Sequence, residues 1–102
     1  MAGHDSPEAR RRSIELLEAH HAFPEDFSVT VIARNDDAVG DAVLAAAVEG
    51  LPAPLREGAY QRLPSAHGKY VSHRLKVPCA SAEEVLVLFA RLRAVNGVIT
   101  IL

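Results

Sequence analysis

The chain has 102 residues, of which 49% are hydrophobic and 24% are charged, and its formal net charge is -2. These values are typical of one globular domain with a single core, and they exclude a chain that is disordered throughout. The weak negative charge argues against a dedicated nucleic-acid or membrane-surface binder, and no apolar run approaches the roughly 20 residues that a membrane helix needs.

The first 22 residues predict a disordered tip followed by an exposed helix. Met1–Ser6 shows no hydrophobic periodicity, as is typical of a mobile terminus. Ser6 followed by Pro7 fits an N-cap and a proline at the first helical position, so a helix is predicted from about Pro7 to His20. Phe23-Pro24 then separates this helix from a single domain over residues 23–102.

The next two elements are a strand and a helix. Apolar and polar residues alternate from Phe27 to Ala33, with the period of a half-buried strand. Asn35, Asp36 and Asp37 provide capping side chains for a helix that Gly50 and the prolines after it end. The apolar positions of that helix have the spacing i, i+3, i+4 and i+7: Leu44, Ala47, Val48 and Leu51.

The second half of the domain predicts two strands, a helix and a last strand. Residues 58–65 predict an edge strand, because Pro64 has no N–H for a central ladder. After a turn at His67-Gly68, residues 70–77 alternate clearly, with His73 on the apolar side. Ser81 and Glu84 form a capping box before an apolar helical stripe, and Val98–Leu102 is a final apolar strand.

The order of these elements predicts an α+β fold. After the leading helix the order is βαββαβ, and right-handed crossovers around a central hairpin give a ferredoxin-like two-layer sandwich. Its antiparallel sheet has the strand order 4-1-3-2, with both helices on one face. The last strand then lies at an edge without a charged residue or proline, which favours pairing with another chain, for example in a homodimer.

Three short motifs resemble the YbeD-like family of small bacterial proteins of unknown function. They are Phe23-Pro24-x-x-Phe27, the Asn35-Asp36 pair and the run Ser65-x-x-Gly68-x-Tyr70-x-Ser72. The similarity covers about Leu16 to Leu102. It implies a ferredoxin-like fold similar to the ACT domains, which bind small effectors and regulate enzymes. This chain departs from the family pattern at His73, where an aliphatic residue is usual, and in its longer, arginine-bearing first helix.

Two neighbouring loops are the predicted contact site for a ligand or partner. One is the turn at Asn35 and Asp36, and the other is the loop from Ser65 to Tyr70, where Gly68 permits close approach of a backbone. The predicted binding residues are Asn35, Asp36, Ser65, His67, Gly68, Lys69 and Tyr70.

The residues give little support for a disulfide, a metal site, a reactive thiol or a nucleic-acid site. The single cysteine, Cys79, excludes an internal disulfide and a thiolate metal cage, and a structural thiol is a better interpretation than a reactive one. Adjacent His20 and His21 point apart on a helix, so no metal site and no cofactor are predicted. Tyr60 and Tyr70 are interpreted as packing residues with solvated hydroxyls. Polar outward positions on the central strands, Arg34, Arg74 and Lys76 among them, favour a solvated sheet surface over an anion or RNA site.

No pairing of a base with a nucleophile is evident, so an enzyme is not expected. The leading prediction is a non-catalytic regulatory or protein-interaction module of the bacterial cytoplasm. It would act on a protein partner, with no role for nucleic acid or a membrane. The alternative is an ACT-like sensor of a small amino-acid or anionic effector.

Overall fold

Helix, strand, helix, strand, strand, helix and strand follow one another along the chain. The computed structural model describes residues 6–102, so the predicted tip lies outside the described residues except for Ser6. The described elements are α1 (Pro7–His20), β1 (Glu25–Arg34), α2 (Asp37–Val48), β2 (Tyr60–Pro64), β3 (Tyr70–Cys79), α3 (Ala82–Arg93) and β4 (Val98–Ile101).

The four strands form one antiparallel sheet in the order β2-β3-β1-β4. The central pair runs in unbroken register from Glu25 opposite Cys79 to Arg34 opposite Tyr70. Both strands are longer than predicted, because the backbone N–H and carbonyl groups of each form hydrogen bonds with the other along the whole ladder. The predicted ferredoxin-like α+β sandwich with an additional N-terminal helix is confirmed, and β2 and β4 are its edges.

The core lies between one face of the sheet and helices α2 and α3. Alternate residues of β1 and β3 are buried, as the predicted period of two requires. They pack against one stripe of each helix, and Val31, Val43, Val85 and Leu92 are fully buried. The opposite face of the sheet therefore carries the remaining side chains of the same strands.

Side chains cap the three helices. The hydroxyl of Ser6 accepts from the Ala9 N–H, and the carboxylate of Asp36 accepts from the Ala38 N–H. Ser81 accepts from the Glu84 N–H, as the capping box predicts. The carboxylate of Glu84 accepts from the Ala80 N–H at 2.9 Å, one residue before the cap. The predicted helix start at Ser81 is thus confirmed.

Two predicted boundaries differ in the structure. The edge strand β2 is shorter than residues 58–65, because Gly58 adopts a positive φ of 82° and Ala59 closes a turn onto the Arg56 carbonyl. Helix α3 ends at Arg93, before the predicted stop at Asn96-Gly97. Gly97, the residue before β4, has a φ of 105°, a left-handed backbone conformation that glycine adopts readily.

Helix α1 lies on the outside of the helical layer, against α3. It has no buried residue, which agrees with the predicted exposed helix. Leu17 nevertheless packs on the edge of the core, and the ring of His21 lies 5.0 Å from that of Phe27. Of the helices in residues 6–102, none combines the length and apolar character needed to cross a membrane.

Candidate functional site

The two predicted loops meet in the structure, because Asn35 joins them. Its side-chain amide donates to the Gly68 carbonyl at 2.7 Å, and its backbone N–H donates to the Lys69 carbonyl at 3.1 Å. The turn after β1 is thereby fastened to the hairpin between β2 and β3. One N–H of this side-chain amide therefore connects the two loops.

Ser65 closes the hairpin loop from inside. Its N–H donates to the Tyr70 carbonyl, its carbonyl accepts from the Gly68 N–H, and its hydroxyl accepts from the Tyr70 N–H at 3.2 Å. Gly68 has a φ of 71°, which a side chain would strain. These predicted site residues therefore form a turn that is held by hydrogen bonds among its own residues.

The other predicted site residues lie around this turn. The ammonium of Lys69 sits 5.5 Å from the centre of the Tyr70 ring, in a cation–π contact. His67 is exposed at the tip of the loop, and the Asp36 carboxylate is occupied as the cap of α2. The structure brings Asn35, Ser65, Gly68, Lys69 and Tyr70 together, but most of their polar groups have partners within the chain.

Replacing Asn35 with alanine should lower the free energy of unfolding by about 1 kcal/mol, because a hydrogen bond that joins two loops is lost. Chemical denaturation followed by circular dichroism measures this, since the chain has no tryptophan. Asn96→Ala is the matched control at another exposed asparagine, and its effect should stay within about 0.5 kcal/mol. Equal stability of the Asn35 variant and the wild type would contradict the assigned structural role.

A buried histidine, His73, and a half-buried tyrosine, Tyr60, form a polar pair on the helix-facing side of the sheet. His73 is fully buried, its Nδ1 lies 2.7 Å from the Tyr60 hydroxyl, and the two rings are nearly parallel. Its Nε2 has no hydrogen-bond partner within the described residues. The predicted packing role of Tyr60 is confirmed, because its side chain packs against the core, and the structure adds the hydrogen bond between its hydroxyl and His73.

Arg62 is the charged neighbour of this pair. A Cβ on Gly40 of α2 would lie 2.7 Å from the Arg62 guanidinium and 3.3 Å from the His73 ring, so the missing side chain makes room for both. Burial lowers the pKa of His73, and the nearby Arg62 cation lowers it further. Burial also raises the pKa of Tyr60. The pair is therefore neutral at neutral pH and packs as part of the fold.

A trough opens where β3 and α2 end and α3 begins. Two cavities of about 280 and 440 Å³ adjoin there. They share the residues Gly50, Leu51, Pro78, Cys79 and Glu84. Burial raises the pKa of the Cys79 thiol to about 11, and the carboxylates of Glu84 and Glu25 add to this shift. The thiol is thus protonated at neutral pH, which disfavours nucleophilic chemistry here.

In the native protein, Cys79 should react with a disulfide reagent at pH 8 about a hundredfold more slowly than a thiol of ordinary pKa, because a raised pKa depletes the thiolate. Spectrophotometric release of the reagent's chromophore measures the rate. A Val87→Cys substitution in a Cys79→Ser background provides an exposed thiol on α3 as the control. Comparable rates for the two thiols would contradict the raised pKa of Cys79.

The outward side of the sheet, opposite the side on which the helices pack, is here called the open face. In the register of the strands its positions are Asp26, Ser28, Thr30, Ile32, Arg34, Gln61, Leu63, Tyr70, Ser72, Arg74, Lys76, Pro78, Thr100 and Leu102. Leu63 in the edge strand β2 is 41% exposed, and Leu102, which follows the opposite edge strand β4, is 72% exposed. The structure thus adds an apolar component to the polar surface that the sequence predicts.

Two cations, Arg74 and Lys76, stand on the open face, whereas the guanidinium of Arg34 lies 3.2 Å from where a Cβ on Gly97 would be, beside Val39 of α2. Within residues 6–102, none of Arg34, Arg74 and Lys76 forms an ion pair with a carboxylate. Arg74 and Lys76 also line a shallow cavity of about 230 Å³, together with Ser28, Thr30 and Leu102. Sequence analysis identified the cations as outward positions, but the apolar side chains among them depend on the pairing of β2 and β4 with the central strands.

A comparison with protein families gives one match, to a family described as a protein of unknown function (DUF493), over residues 18–102. No curated protein and no solved structure matches the chain significantly. The matched residues include every strand of the sheet and both helices that cover it. The family is the one to which the YbeD-like proteins belong, so the resemblance seen in the sequence motifs is confirmed at this level. The chain belongs to the DUF493 family of proteins of unknown function.

Proposed function

We propose that this protein is a non-catalytic regulatory or interaction module, which binds a partner protein through the open face. The observation that supports this most is the contrast between two surfaces. At the predicted loop site the side chains of Asn35, Asp36 and Ser65 make hydrogen bonds within the chain. The open face instead presents the exposed Leu63 and the cations Arg74 and Lys76, which have no carboxylate partner among the described residues. Exposed apolar area bordered by polar groups is typical of interaction surfaces. The proposal places the protein in the bacterial cytoplasm.

Site-specific photo-crosslinking in cells that make the protein tests this proposal. A photoreactive amino acid at Gln61, an exposed open-face position opposite Arg74, should give a discrete adduct with another protein. The same group at Glu83, an exposed position on α3, should give none. Mass spectrometry identifies the adduct. Adducts only from Glu83, or no adduct from either position, would count against the open face.

An ACT-like sensor of a small anionic or amino-acid effector is the second candidate. The shallow cavity beside Arg74 and Lys76 favours it, because two cations can hold a carboxylate there. Thermal melts against amino acids and nucleotides distinguish the two candidates. An effector at ten times its dissociation constant adds about 1.4 kcal/mol of stability. This should raise the melting temperature of the wild type but not that of Arg74→Ala. If none of these compounds raised the melting temperature of the wild type, the sensor function would be rejected.

Self-association through β4 is a further expectation from the sequence. The strand is an edge, it contains neither charge nor proline, and the Ile99 side chain is 57% exposed. If two copies pair there, sedimentation should report a dimer at high micromolar concentration. Ile99→Lys should then shift the protein towards the monomer, whereas Leu63→Lys on the opposite edge should not. A wild type that stays monomeric throughout this range would refute the dimer.

A further inference from the structure

A groove runs between α1 and α3 on the outside of the helical layer, on the opposite side of the sheet from the open face. Leu17 and Phe89 pack against the core, and the Phe89 ring meets the Phe27 ring edge-on at 5.9 Å. The floor of the groove is therefore apolar and is held in place by the core. The groove encloses a cavity of about 440 Å³, and its main lining residues are Arg10, Leu16, Leu17, Leu86, Phe89 and Arg93.

Part of the apolar lining of this groove is open to solvent. Leu16 is 56% exposed, although α1 packs against α3. Ala90 of α3 also lines the cavity, and its small side chain leaves space that a longer one would fill. Small-molecule sites are clefts of about 300–1,000 Å³ with mostly apolar walls and a few polar groups. The groove has the size and the lining of such a site.

The charge in the groove has one sign. Of the described residues that line the cavity, the charged ones are Arg10 and Arg93. Neither forms an ion pair with a carboxylate within residues 6–102. The Arg93 guanidinium lies 5.6 Å from the centre of the Phe89 ring, and this cation–π contact holds it over the apolar floor. The groove is thus locally positive in a chain of net charge -2, and it attracts an anion.

The two arginines belong to the same end of the groove. Helix α1 ends just before β1 and α3 begins just after β3, and Glu25 at the start of β1 lies opposite Cys79 at the end of β3. The end of α1 and the start of α3 therefore meet at one end of the sheet. Arg10 and Arg93 each lie about 15 Å from there along their helices, at a rise of about 1.5 Å per residue.

We infer that this groove binds a small amphiphilic anion, namely an aliphatic carboxylate with an alkyl chain of medium length. Arg10 and Arg93 receive the carboxylate in charge-assisted hydrogen bonds, and the chain lies on the apolar floor. Leu86 is about 10 Å from Arg93 along α3, and this distance sets the length of the chain. The site shares no residue with the open face, so the inference is independent of the proposed function.

Other ligands fit the groove less well. A wholly polar anion such as phosphate engages the arginines but leaves the apolar floor and Leu16 uncovered. A helix of a partner protein needs an apolar stripe several turns long. The exposed large apolar residues of α1 and α3 are Leu16 and Val87, and Val87 does not line this cavity. The combination of two cations with a short apolar floor therefore favours a small amphiphile.

A nuclear magnetic resonance titration of the full chain at neutral pH tests the inference. The probe is decanoate, below the concentration at which it forms micelles. It should shift the backbone amides of Leu86, Phe89 and Ala90 and leave that of Arg74 on the open face unchanged. Acetate has the same head group without the chain, and decyltrimethylammonium has the same chain with a positive head group. Neither should shift the groove amides at the same concentration.

Three variants identify the residues that bind decanoate. R10A/R93A should bind it about tenfold more weakly, because the carboxylate loses both cations. The matched control R11A/R12A removes the same charge from exposed positions of α1 outside the cavity, and it should bind as the wild type does. Ala90→Leu fills the groove without a change of charge and should also weaken binding at least tenfold. Thermal melting by circular dichroism verifies that each variant is folded.

Four results would overturn the inference. Equal binding of decyltrimethylammonium would show that apolar contact alone acts, and equal binding of acetate would show that the arginines act without the apolar floor. Equal weakening in R11A/R12A and R10A/R93A would show an unspecific effect of charge. Absence of any shift at the groove amides with decanoate would remove the site. The proposed function would stand in each case if the photoreactive group at Gln61 still gave a protein adduct.

Discussion

Replacing Leu75 with alanine should lower the free energy of unfolding by about 2–5 kcal/mol, because Leu75 is 2% exposed and its truncation leaves a cavity in the core. The adjacent Arg74 points to the open face, so Arg74→Ala should change the same quantity by less than about 0.5 kcal/mol. Chemical denaturation of the two variants measures the difference. These two substitutions, at consecutive residues of β3, compare the buried face of the strand with its open face.

Thermal melting provides an independent measure of the same contrast. For a chain of this size a loss of 2 kcal/mol lowers the melting temperature by at least about 8 °C, which is well resolved by circular dichroism. If the two substitutions destabilised the protein equally, the assignment of an inner and an outer face to β3 would be wrong. The small expected effect of Arg74→Ala also makes Arg74 suitable for binding tests.

The stability of the protein should fall as the pH is lowered from about 6.5, and His73 should account for part of this fall. Burial holds the pKa of His73 below its ordinary value, so the unfolded chain takes up a proton that the folded chain does not. The contribution of His73 is fully present above about pH 6.5 and is lost as the pH falls towards the lowered pKa. Its slope is at most about 1.4 kcal/mol per pH unit, the limit for one proton.

The double variant Tyr60→Phe/His73→Leu removes this proton linkage without leaving a buried hydroxyl unpaired. Its free energy of unfolding should depend less on pH between 5 and 6.5 than that of the wild type. The control is Gln61→Ala, an exposed position whose side chain does not titrate, and it should retain the wild-type slope. The mechanism fails if the double variant and the wild type lose stability in parallel.

The elements that local patterns specify were the most predictable. The alternation in β1 and β3 identified the buried side, and the capping residues Ser6, Asp36 and Ser81 marked the helix starts. These signals act within a few residues, so they are legible in the sequence. The sheet order followed from the order of the elements and the handedness of crossovers, and the structure confirms it.

Features that depend on distant pairs were not predictable in the same way. The hydrogen bond between Asn35 and Gly68 joins residues 33 positions apart. Both residues were predicted to contact a ligand, and the structure shows that they connect two loops. The partnership of Tyr60 with His73 depends on the register of a short edge strand, which a weak alternation does not define. The sequence offered two signs that His73 has a particular environment: the alternation of its strand places it on the apolar side, and the family pattern has an aliphatic residue there.

The neighbourhood of the apolar side chains on the open face depends on both the register and the strand order. Ile32 interrupts the polar side of β1 in the sequence, but only the pairing places Leu63 of β2 in the same row of residues across the sheet. The cations were visible as outward residues, while their lack of carboxylate partners among residues 6–102 depends on where every acidic side chain lies. A surface of this kind is a property of the whole sheet.

The most direct measurement of the central claim is the affinity of the cross-linked partner, once purified, for three forms of the protein. Isothermal titration should show binding about tenfold weaker for R74E/K76E than for the wild type, because two favourable charge contacts become repulsive. Asn35→Ala, which loosens the loops and leaves the open face intact, should bind within about twofold of the wild type. Loss of binding in the Asn35 variant with full affinity in R74E/K76E would contradict the account and return the site to the loops.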